Sequence, residues 1–156
     1  DHTVTVVNQH MESIGLTQTD KELYHEITAH PNTDRLDEIK KHLLSKLMNA
    51  AEIRNRQADL TAEKIQNIPG NIIVCGDFND TPMSYVYRTM ARGLNDAFSE
   101  CGSGYSHTFR GFYNTLRIDY VLSSDDFETL SYEVLPVEFS DHHPVVVRLM
   151  KRTSNN

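Results

Sequence analysis

Asp77 and Asn79 stand two residues apart in "IIVCGDFNDTP" (72–82), where an apolar run of strand type ends. In an extended chain both point to one face, while Phe78 points to the other, toward a core. A carboxylate beside a carboxamide can hold a hard cation or a water and still donate a hydrogen bond to a phosphate oxygen. The same pattern also makes an Asx turn that caps a following helix, and Asp80 could do that capping by itself. A second acid, Asp119, lies within "RIDYVL" (117–122) among β-forming residues. An acid inside a strand must either face water at a sheet edge or find a partner, here expected from another strand. "FSDHHPVVV" places Asp141 and His142 where a further strand begins, a pairing suited to metal binding, proton transfer or phosphate recognition. His143 reads as a bystander. "HTVTVVNQH" sets Val4, Val6, Asn8 and His10 on one face by the period of two, an apolar face running into a polar pair. Each motif alone has a bland structural reading. Four strands that each place Asp, Asn or His at or near a terminus match the residue types of a metal-assisted phosphoryl-transfer site.

The elements that must hold these groups follow from the pattern between them. A polar stretch runs to about residue 33, with "HPN" as a turn signal. No Gly or Pro occurs from 34 to 68, and Leu36, Ile39, Leu43 and Leu47, then Ala58, Ala62 and Ile65, recur at helical spacing. One long helix is expected, with a break near Asn55 as an alternative, closed by "PG" at 69–70. The apolar strand at 71–78 should be buried on both faces. Thr81 and Pro82 read as N-cap and first position of a helix reaching about Arg92. "YSHTF", "RIDYVLSS", "FETLSYEVLP" and "HHPVVVRLM" then read as four short strands. The fold class expected is α/β (α+β), a mixed, mainly antiparallel sheet with helices on one face.

The 156 residues make one domain, and the net charge of −7 argues against a non-specific nucleic-acid binder. It leaves a phosphate-processing enzyme open, because carboxylates attract phosphate once they hold divalent cations. Cys75 reads as strand packing and Cys101 as a loop residue, with a disulfide between them neither required nor excluded. No apolar run approaches the roughly 20 residues of a membrane span. The chain opens on Asp1, so a membrane anchor upstream stays open, and the compartment is unassigned.

"GDFNDTP" (76–82), "RIDYVL" (117–122) and "SDHHPV" (140–145), in that order, resemble the endonuclease/exonuclease/phosphatase superfamily of deoxyribonuclease I-like enzymes. "NQHMES" (8–13) resembles its earlier strand ending in Asn-x-His-Leu, and "RNRQADL" (54–60) the helix before its GDFN strand. The resemblance implies that Asp77 orients or deprotonates the attacking water and that Asn79 hydrogen-bonds the phosphate. It implies that His142 contacts a phosphoryl oxygen, with Asp119 accepting from its other ring nitrogen. Asp141, with Asp77 and Asn79, would serve a Mg²⁺ or Mn²⁺ site, His10 would touch the scissile phosphate, and Asn8 would be accessory. Arg110, Phe112, Tyr113 and Arg117 in "FRGFYNTLR" form the expected substrate loop, for a nucleic acid, a phospholipid head group or a sugar phosphate.

Family domains are four-layer α/β/β/α sandwiches whose first half carries an Asn after its first strand and a metal-binding Glu after its second. Neither motif is found here. Residues 1–150 are therefore expected to be the C-terminal half of such a domain, followed by a disordered tail at 151–156. That half would expose an apolar sheet face to be covered by the missing half or a second chain, and it would be inactive alone. The alternative is a non-catalytic binding module that keeps the family fold.

Overall fold

The computed structural model describes residues 3–15, 17, 19–20, 22–23 and 36–152. In chain order its elements are β1 (Val4–His10), α1 (Leu36–Gln66), β2 (Asn71–Asp77), α2 (Tyr85–Met90) and β3 (Asn95–Asp96), then α3 (Ala97–Cys101), α4 (Gly111–Asn114), β4 (Asp119–Ser123), β5 (Phe127–Val134) and β6 (Val145–Lys151). The first sheet has the order β1-β2-β4-β3. β1 and β2 are parallel, from Val4 opposite Asn71 to His10 opposite Asp77. Parallel neighbours need a long crossover, and α1 supplies it. β4 returns antiparallel to β2, with Asp77 opposite Asp119. β5 and β6 form a separate antiparallel pair whose register shifts between Thr129 and Ser131.

α1 is unbroken through Asn55, consistent with its lack of Gly and Pro. It stops where the amides of Asn67 and Ile68 bond back to Lys64 and Ile65, and Gly70 then takes φ 96°. Ala58 and Ile65 of α1, with Val86 and Met90 of α2, pack on Ile72, Val74, Tyr120 and Leu122 of the sheet and on Phe78. These alternate strand residues share one face, so both helices lie on that side, and each large side chain buried there contributes about 1.5–3 kcal/mol. The first half of the helical stripe behaves differently: Leu47 is exposed, and Ile39 and Leu43 are half-buried.

The opposite sheet face carries Val6, Ile73, Cys75 and Val121 and is far less covered, with Val6 60% exposed. β2 is thus buried on one face and half-buried on the other, rather than enclosed on both. His10, Asp77 and Asp119 stand at the polar end of this open face.

Several expectations need correction. α2 begins after Ser84, whose hydroxyl accepts from the Tyr87 amide at 3.1 Å, and it ends at Met90; Thr81 instead closes a turn by accepting from the Ser84 amide. "YSHTF" forms no strand, and only Phe109 makes isolated bridges, to Leu116 and His142. β3, α3 and α4 were not expected. Lys151 still belongs to β6, and the Arg152 amide bonds the Asp126 carbonyl. Residues 153–156 and the "HPN" turn lie outside the described residues. Cys75 and Cys101 are both free, and the Cys101 thiol donates to the Thr129 carbonyl. Among the described residues no helix is long and apolar enough to cross a membrane.

Candidate active site

Strand register alone brings three of the expected groups together. His10 is aligned with Asp77 across β1 and β2, and Asp77 with Asp119 across β2 and β4, all at one end of the open face. His142 joins them from the loop before β6. Its Nδ1 lies 2.9 Å from Asp119 Oδ2, and its Nε2 lies 3.7 Å from Asp77 Oδ2. His10 Nε2 approaches the same Asp77 oxygen at 3.7 Å from a largely exposed position. Asp77, Asp119 and His142 each offer a ligand atom within 4.8 Å of the others, a set of hard oxygen and imidazole donors that fits a divalent cation.

Asp77 does two things at once. Its Oδ1 accepts from the Asn79 amide at 2.7 Å, which is the Asx turn, while Oδ2 faces the histidines. Asn79 adopts φ 51°, a left-handed conformation that Asn tolerates, and its carboxamide donates to the Met11 carbonyl and to Asp77 Oδ2, each at 3.0 Å. Burial pushes the Asp77 carboxyl above the ordinary carboxylate range, and the nearby Asp119 charge adds to this. For His142, burial works against the charged ring, but the Asp119 hydrogen bond and the charges of Asp119, Asp77 and Asp141 outweigh it and raise its pKa.

Residues not singled out beforehand hold the cluster in place. Thr108 is fully buried, and its hydroxyl accepts from the amides of Ile118 at 3.0 Å and Asp119 at 3.1 Å. Its carbonyl also accepts from the His143 amide at 2.7 Å, so one residue ties the start of β4 to the histidine loop. The Phe109 ring packs against His142 with centroids 5.0 Å apart. Buried Arg54 of α1 donates to the Glu12 carbonyl and to Asp80 Oδ2, joining the end of β1 to the turn after β2. Arg54 shares the helix face of Ala58 and Ile65, and an arginine on a core stripe was the sequence signal for it. His143 is buried, with Nδ1 accepting from the Val137 amide, and so shapes the loop instead of standing by.

The remaining expected residues divide. Asn8 borders a cavity of about 350 Å³ shared with Asp119 and His142. Asp141 lies outside the three-residue cluster, exposed on the rim, with its carbonyl accepting from the Arg110 amide. Arg110 is exposed and bonds the carbonyls of Glu138 and Ser140. Arg117, expected in the substrate loop, is buried in an ion pair with Asp96 at 2.9 Å, its guanidinium 4.6 Å from the Phe98 ring and 4.7 Å from the Tyr120 ring. Burial disfavours its charge, but Asp96 outweighs that and raises its pKa. The side chains of Phe112 and Tyr113 lie outside the described set.

A mixed sheet with helices on one face thus presents two aspartates at its strand ends, with a histidine beside them. The model of the endonuclease/exonuclease/phosphatase family matches residues 10–142, and the chain belongs to that family. Among solved structures, it is similar to a mannosyl-6-phosphatase of Bacteroides thetaiotaomicron, with 26% identity and a TM-score of 0.54 over 64% of this chain and 46% of that one. A family protein of Bacteroides vulgatus matches at 28% identity and TM-score 0.55, over 65% of this chain and 45% of the other. The human Nocturnin catalytic domain with bound sulfate anion matches at 26% identity and TM-score 0.54, over 65% and 42%. The chain thus spans less than half the length of each of these structures. No curated protein sequence matches it.

Proposed function

We propose that this chain is the C-terminal half of a metal-dependent phosphoesterase that hydrolyses a P–O ester by in-line attack of water. The observation that carries the reading is the convergence of Asp77, Asp119 and His142 at the end of the sheet. Asp77, whose Oδ1 is held by the Asn79 amide and whose Oδ2 accepts one bond from the Asn79 carboxamide, would use the remaining lone pair of Oδ2 to orient and deprotonate a water. Asp119 accepts a hydrogen bond from Nδ1–H of His142, which fixes the ring and leaves Nε2 directed at the substrate. With Nδ1 bonded to Asp119, Nε2 of His142 would donate to a phosphoryl oxygen. His10 reaches the same phosphate from the exposed side, and Asn79 bonds a phosphoryl oxygen once substrate displaces one of its present partners. Asp77, with the rim acid Asp141 adding negative charge, would hold Mg²⁺ or Mn²⁺, and such an ion would supply charge neutralisation for the phosphate ester. The similarity to a sugar-phosphate phosphatase and to a sulfate-binding catalytic domain supports a phosphate-ester substrate.

The open face bearing Val6, Ile73, Cys75 and Val121 is the surface a first half, or a second chain, would cover. The test compares this chain with a longer chain extended upstream, on a generic phosphodiester and a panel of phosphomonoesters, with Mg²⁺ or Mn²⁺ and an EDTA control. Turnover by the extended chain only, lost in Asp77→Ala, is expected. Turnover by this chain alone would overturn the need for a partner half. Inactivity of both on every substrate would favour a binding module.

A further inference from the structure

We propose that Arg54 and Gln57 of α1 are positioning residues for Asn79: by gripping Glu12 and Asp80 they hold the Asn79 carboxamide where it can reach a phosphoryl oxygen. The inference rests on the phosphoesterase reading and adds two residues to its site. The Asn79 carboxamide donates to the Met11 carbonyl at 3.0 Å, a contact between segments 68 residues apart. Arg54 grips the next residue on each side of that contact. Its Nη1 donates to the Glu12 carbonyl at 3.1 Å, one residue past Met11, and its Nε donates to Asp80 Oδ2 at 3.2 Å, one residue past Asn79. Gln57, a neighbour of Arg54 on the same helix face, accepts from the Glu12 amide at 2.9 Å. The N–H and the C=O of Glu12 are therefore both bound to one helix.

Asp80 is held as fully as Glu12. The Tyr120 hydroxyl donates to its carbonyl at 2.8 Å, and the Thr81 amide donates to its Oδ1 at 3.0 Å. A buried guanidinium is costly, and an apolar side chain in its place would often stabilise a fold as well or better. Arg54 is buried one helical turn before Ala58, on the stripe that faces the core. What an arginine alone supplies there is a planar fork that bonds a carbonyl and a carboxylate together. That fork sets the spacing between the ends of β1 and β2, and so between the Met11 carbonyl and Asn79. Neither Arg54 nor Gln57 belongs to the cluster of Asp77, Asp119 and His142, so both act through Asn79. To bond a phosphoryl oxygen, the carboxamide must release Met11 or Asp77 Oδ2 without swinging away. A turn clamped on both sides loses little conformational freedom at that moment.

The test uses the whole chain with isotope-labelled asparagine and histidine, observed by NMR alone and then titrated with inorganic phosphate in the presence of Mg²⁺. Asn79→Asp assigns the carboxamide signals. Arg54→Lys keeps the charge but lacks the fork, Gln57→Leu removes the acceptor, and Gln57→Glu keeps it. Ile65→Ala, in the same helix and core, lowers stability without touching the clamp. Arg54→Lys and Gln57→Leu should each move the Asn79 carboxamide signals and speed exchange of its protons about fivefold or more. Arg54→Lys should also weaken phosphate binding about tenfold. Gln57→Glu and Ile65→Ala should keep the wild-type Asn79 signals. Unchanged Asn79 signals in Arg54→Lys and Gln57→Leu would overturn the proposal while leaving the phosphoesterase reading intact. An equal change in Ile65→Ala would overturn it too, because general stability would then account for the effect. If Arg54→Lys does not fold, the two Gln57 variants decide alone. If phosphate moves neither Asn79 nor His142 in the wild type, the phosphoesterase reading falls, and the positioning role falls with it.

Discussion

Thr108→Val is the sharpest test of how the site is held. The two side chains have nearly the same shape, so the substitution opens no cavity and removes one hydroxyl from a fully buried position. That hydroxyl accepts from two amides, Ile118 in a buried setting and Asp119 in a partly buried one. An unsatisfied buried donor costs about 1–3 kcal/mol. Taking about 2 kcal/mol for Ile118 and about 1 for Asp119, which regains some water, gives a loss of about 3 kcal/mol. For a domain of this size that lowers Tm by about 6–12 °C. Urea denaturation of wild type, Thr108→Val and Thr108→Ser measures it. Thr108→Ser keeps the acceptor and loses one buried methyl, so its cost should stay near about 1 kcal/mol. A valine variant within about 0.5 kcal/mol of wild type, the range of an ordinary surface change, would show that the hydroxyl does not organise the start of β4.

Three further outcomes follow from the same coordinates. A Cβ added at Gly76, which has φ 133°, would lie 1.9 Å from the Gln9 carbonyl oxygen, so Gly76→Ala should separate β1 from β2 beside Asp77 and leave little soluble folded protein; a Tm near wild type would refute this. His142 should titrate above 6.5 in the metal-free protein and fall toward or below that value in Asp119→Asn, read from its imidazole NMR signals. The sign follows: its preference for the charged ring stabilises the fold fully below pH 6.5, and that contribution is lost as pH rises through the raised pKa. Arg117→Met leaves Asp96 buried without its ion partner and should cost about 3–5 kcal/mol by denaturation, whereas a solvent-facing substrate arginine would cost almost nothing.

The chemistry at the strand ends was legible because the period of two is strict. Asp77 and Asn79, Asp119, and Asn8 with His10 could each be placed on a strand or its terminus without knowing which strands are neighbours. Register then did the assembling, and no periodicity encodes register between strands as far apart as β1, β2 and β4. The surroundings of Arg117 were not legible from its place in a polar, aromatic stretch. The strand in fact begins at Asp119, and Arg117 turns into a cluster of Tyr87, Phe98 and Tyr120 around Asp96. The Thr81–Pro82 start was equally plausible locally, but the turn it closes delays the helix to Ser84. Thr108 was invisible, since a threonine in a β-like stretch carries no mark of the two amides it will meet. The first turns of α1 show the converse: helical spacing put Leu47 on a stripe that no sheet strand covers.

The β1–α1–β2 crossover also sets the order in which the site can come into being. The Asn79 carboxamide meets the Met11 carbonyl across 68 residues of chain, whereas His142 meets Asp119 across only 23. Closing the longer loop costs more entropy, and long-range parallel pairing is slow compared with local helix or hairpin formation. α1 and the β5–β6 hairpin can therefore form early, with the acid–imidazole cluster completed only when the parallel strands close. During synthesis, a chain that has not reached residue 142 can already wind its helix, yet it has no imidazole to set against Asp119. An assembled acid–imidazole cluster would then report that the chain through residue 142 has been made and its strands closed.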